Sequence, residues 1–167
     1  GIGTAIFLSE DFLPQSLRTG FTFLVELLAA IPSVVYGLWG VFVLVPLLKP
    51  LEQFLYDHMG WFPLFSTPPR GPGLLPASLI LAAMVLPVIT AISRDSLCSI
   101  PSDLRQAAFG IGATRWEVLS NVLLPAAASG ITGGVMLSLG RAMGETMAVT
   151  LVIGNANHIS PSLFAPA

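Results

Sequence analysis

The chain has 167 residues, 54 % of them hydrophobic and only 10 % charged, with a formal net charge of −2. Soluble domains carry about 25 % charged residues, so a water-soluble fold could not cover its surface with this composition, and the class is integral membrane protein. Seven basic residues in all exclude the dense positive patch that nucleic acid requires, and the single cysteine, Cys98, excludes an internal disulfide and has no histidine beside it for catalysis.

Taken in order, Gly1 to Leu8 reads as the tail of a membrane span, and with no initiator Met the chain is expected to be a segment of a longer protein with spans on both sides. Ser9 to Gly20 is a polar connection holding Glu10, Asp11, Pro14 and Arg18. Phe21 to Leu48 is apolar for 28 residues with one charge, Glu26. A bilayer core needs about 20 helical residues, so the pattern predicts one long or tilted span. Within it Pro32, Pro46, Gly37 and Gly40 mark kinks or close helix contacts. Lys49 to Gly73 is an exterior loop in which Tyr56, Trp61, Phe62 and Phe65 suit the membrane interface. There Leu51, Phe54, Leu55 and Met59 fall on one face of a short interfacial helix. Leu74 to Ile92 is a second complete span without a charge. A polar stretch, residues 94–125, follows it. Ala126 to Gly154 is the third complete span; it contains Arg141 and Glu145, and its pairs Gly130/Gly134 and Gly140/Gly144 predict close helix approach. Asn155 to Ala167 is a polar exit. The expected fold class is all-α, a polytopic helical membrane protein forming one transmembrane domain over residues 1–167.

The polar island has its own logic. Ser102 or Asp103 after Pro101 can cap a helix, and Leu104, Ala107, Ala108 and Ile111 then form one apolar stripe at helical spacing. Gly110 and Gly112 end or bend that helix, and Trp116, Leu119, Val122 and Leu123 start a second stripe. The result is a short amphipathic knob on a hinge, suited to a partner's groove; on the residues alone, a hairpin packed on its own protein remains the alternative. Placing Arg18, Arg94, Arg105 and Arg115 on one side leaves Lys49 and Arg70 on the other, which puts the hairpin in the cytoplasm by the positive-inside rule.

The stretch Gln106-Ala107-Ala108, then Gly112, then Val122-x-Leu124-Pro125 resembles the cytoplasmic loop of binding-protein-dependent ABC importer permeases, whose pattern is E-A-A-x3-G-x9-I-x-L-P. Gln106 replaces the glutamate and Val122 the isoleucine. The resemblance implies a MetI-like transmembrane domain in which Gln106, Ala107, Ala108, Gly112, Leu124 and Pro125 belong to the loop that docks on an ATP-hydrolysing subunit.

Arg141 sits near the middle of the predicted third span, where a charge costs roughly 2.5–3.5 kcal/mol on the insertion scale. Glu145 follows four residues later, on the same face of a continuous helix. Two readings stand. Arg141 and Glu145 form a structural pair, with Glu26 as a third member, or Arg141 attracts an anion at a binding or gating point.

The run Gly140-Arg141-Ala142-Met143-Gly144-Glu145-Thr146-Met147-Ala148-Val149, and the run Ala29 to Gly40, closely resemble the phosphate-specific transport (Pst) permeases, the C-type subunit more than the A-type. This resemblance implies a six-span permease of the inner or plasma membrane. It implies an A-type permease homologue, two ATP-hydrolysing subunits and a periplasmic or extracellular phosphate-binding protein as partners, with the bilayer around them. It also implies that Arg141 and Glu145 take part in phosphate passage. Phosphate at neutral pH keeps a P–OH that Glu145 could accept from, whereas sulfate has none.

No G-x4-G-K-[ST] occurs and the only lysine is Lys49, so the chain has no Walker-type ATP site, and hydrolysis is expected in a separate subunit. No catalytic or metal motif is present; His58 and His158, on exterior loops, are expected to face solvent, and no cofactor is expected in this chain. Rival readings are a permease for another oxyanion, a membrane signalling subunit that responds to phosphate, and an intramembrane enzyme using Glu145 as acid or base.

Overall fold

Long apolar runs with few turn residues fold as helices, because a helix bonds its own backbone groups and needs no water to do so. The structure, a computed structural model, describes residues 1–10, 14–59, 61, 67–68, 71–154 and 163–164. Among the described residues the regular structure is entirely helical: α1 (Ile2–Ser9), α2 (Gln15–Ala30), α3 (Ser33–Trp39), α4 (Val45–Met59), α5 (Leu74–Cys98), α6 (Ser102–Gly110), α7 (Arg115–Val118), α8 (Leu124–Met143) and α9 (Met147–Ile153). Single π-helical turns at Gly40–Leu44 and Leu119–Leu123 join α3 to α4 and α7 to α8. Among the described residues three helical stretches are long and apolar enough to cross a membrane: Ser33–His58, Leu74–Cys98 and Arg115–Met143.

Two spans expected from the sequence divide. The apolar run 21–48 is not one helix. It breaks at Ile31 and Pro32, where Pro32 is extended (ψ 141°) and caps α3. Proline has no N–H to continue the ladder and disfavours a helical residue before it. The run 126–154 also breaks: α8 ends at Met143 and α9 begins at Met147, with Gly144, Glu145 and Thr146 between them. Arg141 therefore lies two residues from the end of α8 and not at mid-span. The expected interfacial helix at 51–59 is the last part of α4, continuous with the span before it. Phe62, Phe65, Arg70 and His158 lie outside the described residues.

The two π turns share one register. Val45 N–H bonds Gly40 O just before Pro46, and Leu124 N–H bonds Leu119 O just before Pro125. A proline removes one ladder bond and its ring crowds the carbonyl four residues back. A wide turn makes room for that ring without ending the helix. The Leu124-Pro125 close of the hairpin motif is thus a structural device at the root of α8.

The chain forms two compact units. The first comprises residues 1–30 and 85–141. Its core joins Leu97, Ala108, Val118, Leu119, Leu123 and Ala127, with Ile6 packed against them. Thr90 Oγ1 donates to Gly1 O at 3.2 Å, which ties the start of α1 to α5. Gly130 and Gly134 of α8 abut α5: a Cβ at Gly130 would strike the Ser96 side chain, and one at Gly134 would lie 2.9 Å from Ile92 Cγ2. The close approach expected from this pair is present, whereas a Cβ at Gly140 would meet no atom within 4 Å.

The second unit comprises residues 31–84 and 142–167. Its core is Val45, Ala77, Ile80, Met84, Ala148 and Val152, with Tyr36, Val41, Leu44 and Ile153 around it. Helix α9 packs on α3, and Gly73 N–H donates to Val152 O at 3.1 Å. Large apolar side chains such as Phe42, Leu47, Met136 and Leu137 are exposed on the long helices, as fits elements solvated by lipid or by another chain.

Candidate functional site

The hairpin is assembled by local signals. Helix α6 starts after Pro101, with Asp103 in its first turn where the helix dipole favours an acid. It ends at Gly110, and the chain reverses through Gly112, whose φ of +88° is left-handed backbone that only glycine adopts without strain. Thr114 then caps α7 in a full capping box. Its hydroxyl accepts from Glu117 N–H, and Glu117 Oε2 accepts from Thr114 N–H at 2.7 Å.

This geometry divides the expected apolar stripe. Ala108 is only 7 % exposed and packs into the core with Leu97 and Val118. Leu104, Gln106, Ala107, Phe109 and Ile111 are exposed, Ile111 at 88 %. On α7, Trp116 is 70 % exposed, while Val118, Leu119 and Leu123 turn inward. Ala108 therefore anchors the hairpin to its own unit, and the apolar side chains of Leu104, Ala107, Phe109, Ile111 and Trp116 around the bend are left exposed. Leu104 also walls a groove of about 300 Å³ between the end of α5 and the start of α8. The hairpin packs on its own unit through Ala108, Val118, Leu119 and Leu123, and carries exposed apolar side chains around the bend. Leu124 is partly buried and Pro125 exposed at the base of α8, away from the bend.

Arg141, in the last turn of α8, is exposed and belongs to the first unit; Glu145 belongs to the second. Because the helix stops at Met143, the one-turn spacing that joined them on a single face does not apply. Glu145 Oε1 instead accepts from Ala148 N–H at 3.1 Å. It satisfies one of the free amides that begin α9, where negative charge is favoured. Glu26 lines a small cavity of the first unit together with Thr22, Thr90 and Arg94. His58 is exposed and stacks on Phe54, with ring centroids 4.2 Å apart. Among the described residues no group of three His, Cys, Asp or Glu side chains is placed to hold a metal ion.

A family model described as "Binding-protein-dependent transport system inner membrane component" matches residues 1–162. The chain belongs to that family. Among its curated relatives, the chain is 55 % identical over 172 residues to "Phosphate transport system permease protein PstC" of Mesorhizobium japonicum, a match covering 100 % of this chain and 52 % of the relative. It is 48 % identical to the protein of the same name from Pasteurella multocida (99 % of this chain, 53 % of the relative). It is 42 % identical to that from Mycobacterium leprae (93 % and 50 %). The chain thus spans about half the length of the curated relatives it matches. Membership of a family of inner membrane components agrees with the three membrane-length helices and with the all-α fold expected from the sequence.

Two arginine contacts escaped the sequence reading, one made from the hairpin and one from α2. Arg105 forms an ion pair with Glu10, 95 positions away, at 3.1 Å. Arg18 reaches back to Leu8 O and Ser9 O at 2.7 and 2.8 Å. Only the second left a signal: a basic residue just past a helix end can bond its last carbonyls.

Proposed function

We propose that this chain is part of the permease subunit of an ATP-driven importer that carries inorganic phosphate across the inner membrane by alternating access. The observation that carries the reading is the set of exposed apolar side chains, Leu104, Ala107, Phe109, Ile111 and Trp116, on a hairpin anchored through Ala108, in a chain similar along its whole length to phosphate transport system permease proteins. An exposed apolar knob on a rigid root suits the groove of a partner. In this reading the hairpin docks on one of two ATP-hydrolysing subunits, an A-type homologue supplies the other half of the membrane path, and a phosphate-binding protein delivers substrate from outside. The chain itself hydrolyses no ATP and binds no cofactor.

Arg141 and Glu145 are proposed as substrate-path residues. A guanidinium presents a planar fork that matches two phosphate oxygens. Glu145 accepts a hydrogen bond from the P–OH that monohydrogen or dihydrogen phosphate still carries, and this acceptor disfavours a fully deprotonated anion such as sulfate. The cap that Glu145 places on α9 supports a link between substrate and helix position, since a carboxylate that turns to the anion releases the α9 amide. The experiment is ATP-dependent uptake of labelled phosphate by the full-length chain reconstituted with its partners, with sulfate and molybdate as competitors. Uptake of phosphate that sulfate does not inhibit is the expected result. Hydrolysis without phosphate uptake would overturn the reading.

A further inference from the structure

The hairpin is held to its unit by two unlike contacts. One is apolar, through Ala108 on Leu97 and Val118, and apolar contact is not directional. The other is the Arg105–Glu10 ion pair, with Nη1 3.1 Å from Oε1 and 3.2 Å from Oε2 and both side chains mostly buried. Glu10 is the residue on which α1 ends, and its own N–H still bonds Ile6 O at 3.1 Å. The same helix end is gripped from the other side. Arg18, in the first turn of α2, donates Nε to Leu8 O at 2.7 Å and Nη2 to Ser9 O at 2.8 Å. Charge-assisted bonds therefore tie α6 to Glu10 and α2 to the carbonyls of Leu8 and Ser9 just before it, so both meet at the end of α1.

We propose that Glu10 and Arg105 form a strut that passes displacement of the hairpin to the α1–α2 pair, so that both residues are positioning residues for coupling. The proposal rests on the transport reading above, because it needs a partner that moves the hairpin. A pull on α6 loads Arg105, which lies one residue from the exposed Gln106 and two from the exposed Ala107. Glu10 resists it, and Arg18 hands the load to α2. A mostly buried carboxylate–guanidinium pair suits this task better than sliding apolar contact, because it fixes direction as well as distance.

The test uses the full-length chain assembled with its partners in proteoliposomes. Glu10→Arg, Arg105→Glu and the exchanged double variant are compared by phosphate moved per ATP hydrolysed. Each single change is expected to lower that ratio roughly 5-fold or more while hydrolysis continues, as loss of one coupling interaction does, and the exchange should restore most of it. Single variants at the wild-type ratio would overturn the strut. So would an exchange no better than the worse single, because Arg105 would then act on the partner and not through Glu10. If a single variant does not co-purify with the complex, Glu10→Gln, which keeps the shape and removes the charge, carries the same comparison.

A second readout needs no substrate. A thiol from Leu17→Cys on α2, in a Cys98→Ser background, should change its labelling rate on nucleotide trapping, and Arg105→Glu should abolish that change. A change that persists in Arg105→Glu overturns the strut. A wild-type complex that changes its labelling yet moves no phosphate overturns the transport reading alone.

Discussion

Ala107 and Ala108 are neighbours in sequence with opposite surroundings, so one substitution made at each separates anchoring from docking. At Ala108, 7 % exposed among Leu97, Val118, Leu119 and Leu123, a glutamate must find room in a packed core, at about 1–3 kcal/mol. It must also bury a carboxyl group without a partner, at about another 1–3 kcal/mol. Ala108→Glu should therefore destabilise the chain by about 2–6 kcal/mol, a large share of a typical stability of about 5–15 kcal/mol. Ala107 is exposed, and Ala107→Glu should change stability by no more than about 0.5 kcal/mol. Its effect falls elsewhere: a charge among the exposed apolar side chains must be desolvated when the hairpin enters a groove. Thermal unfolding of the purified complex reads the first quantity, and co-purification of the ATP-hydrolysing subunit with ATP-driven uptake reads the second. The expected pattern is a folded, poorly docked Ala107→Glu and a poorly folded Ala108→Glu. Equal loss of stability at the two positions, or a stable Ala108→Glu, would refute the assignment of their faces.

Four further outcomes are expected. Gly112→Ala should destabilise the hairpin by about 1–2 kcal/mol, because the φ of +88° disfavours any side chain. A Cβ there meets no atom within 4 Å, so the loss is backbone strain alone; it should appear as faster amide exchange in α6 and α7. Cys98, free and exposed at the end of α5, should react with an impermeant thiol reagent only from the cytoplasmic side; labelling in intact cells would reverse the orientation. Arg141→Lys should lower phosphate uptake while the complex assembles normally, and Glu145→Gln should weaken discrimination against sulfate more than it weakens phosphate uptake; labelled-anion competition reads both.

The sequence was most informative where one physical signal dominates. Apolar runs marked the membrane-length helices, Gly130/Gly134 marked the approach of α8 to α5, and the spacing from Gln106 to Pro125 marked the hairpin. Hydropathy failed at the two breaks for one reason. It reads solvent preference and is blind to caps, so the apolar Met147–Ile153 continued the run beyond Met143. The cues were present in Gly144, a poor helix former, and in Glu145, whose carboxylate can reach the amide of Ala148. Pro32 was flagged as a kink, and the chain breaks there outright. Which of Ala107 and Ala108 turns inward depends on Leu97 and Val118, so no pattern within α6 could decide it. The Glu10–Arg105 pair joins positions 95 apart, a separation that no local reading spans.

The π turn at Leu119–Leu123 also sets a phase. An α-helix advances about 100° per residue, so the residue count between Thr114 and Gly130 fixes the angle between the hairpin and the glycines of α8. The wide turn absorbs one residue without ending the helix, and Pro125 keeps it from relaxing to ordinary pitch. Deleting Asn121 would remove that extra residue and return the turn to ordinary α pitch, leaving Gly130, Gly134 and Ser138 on their present face and crowding only the Pro125 ring against the carbonyl four residues back. A one-residue deletion inside the wide turn should therefore disturb the unit less than the same deletion within α8, which would swing every side chain beyond it by about 100°.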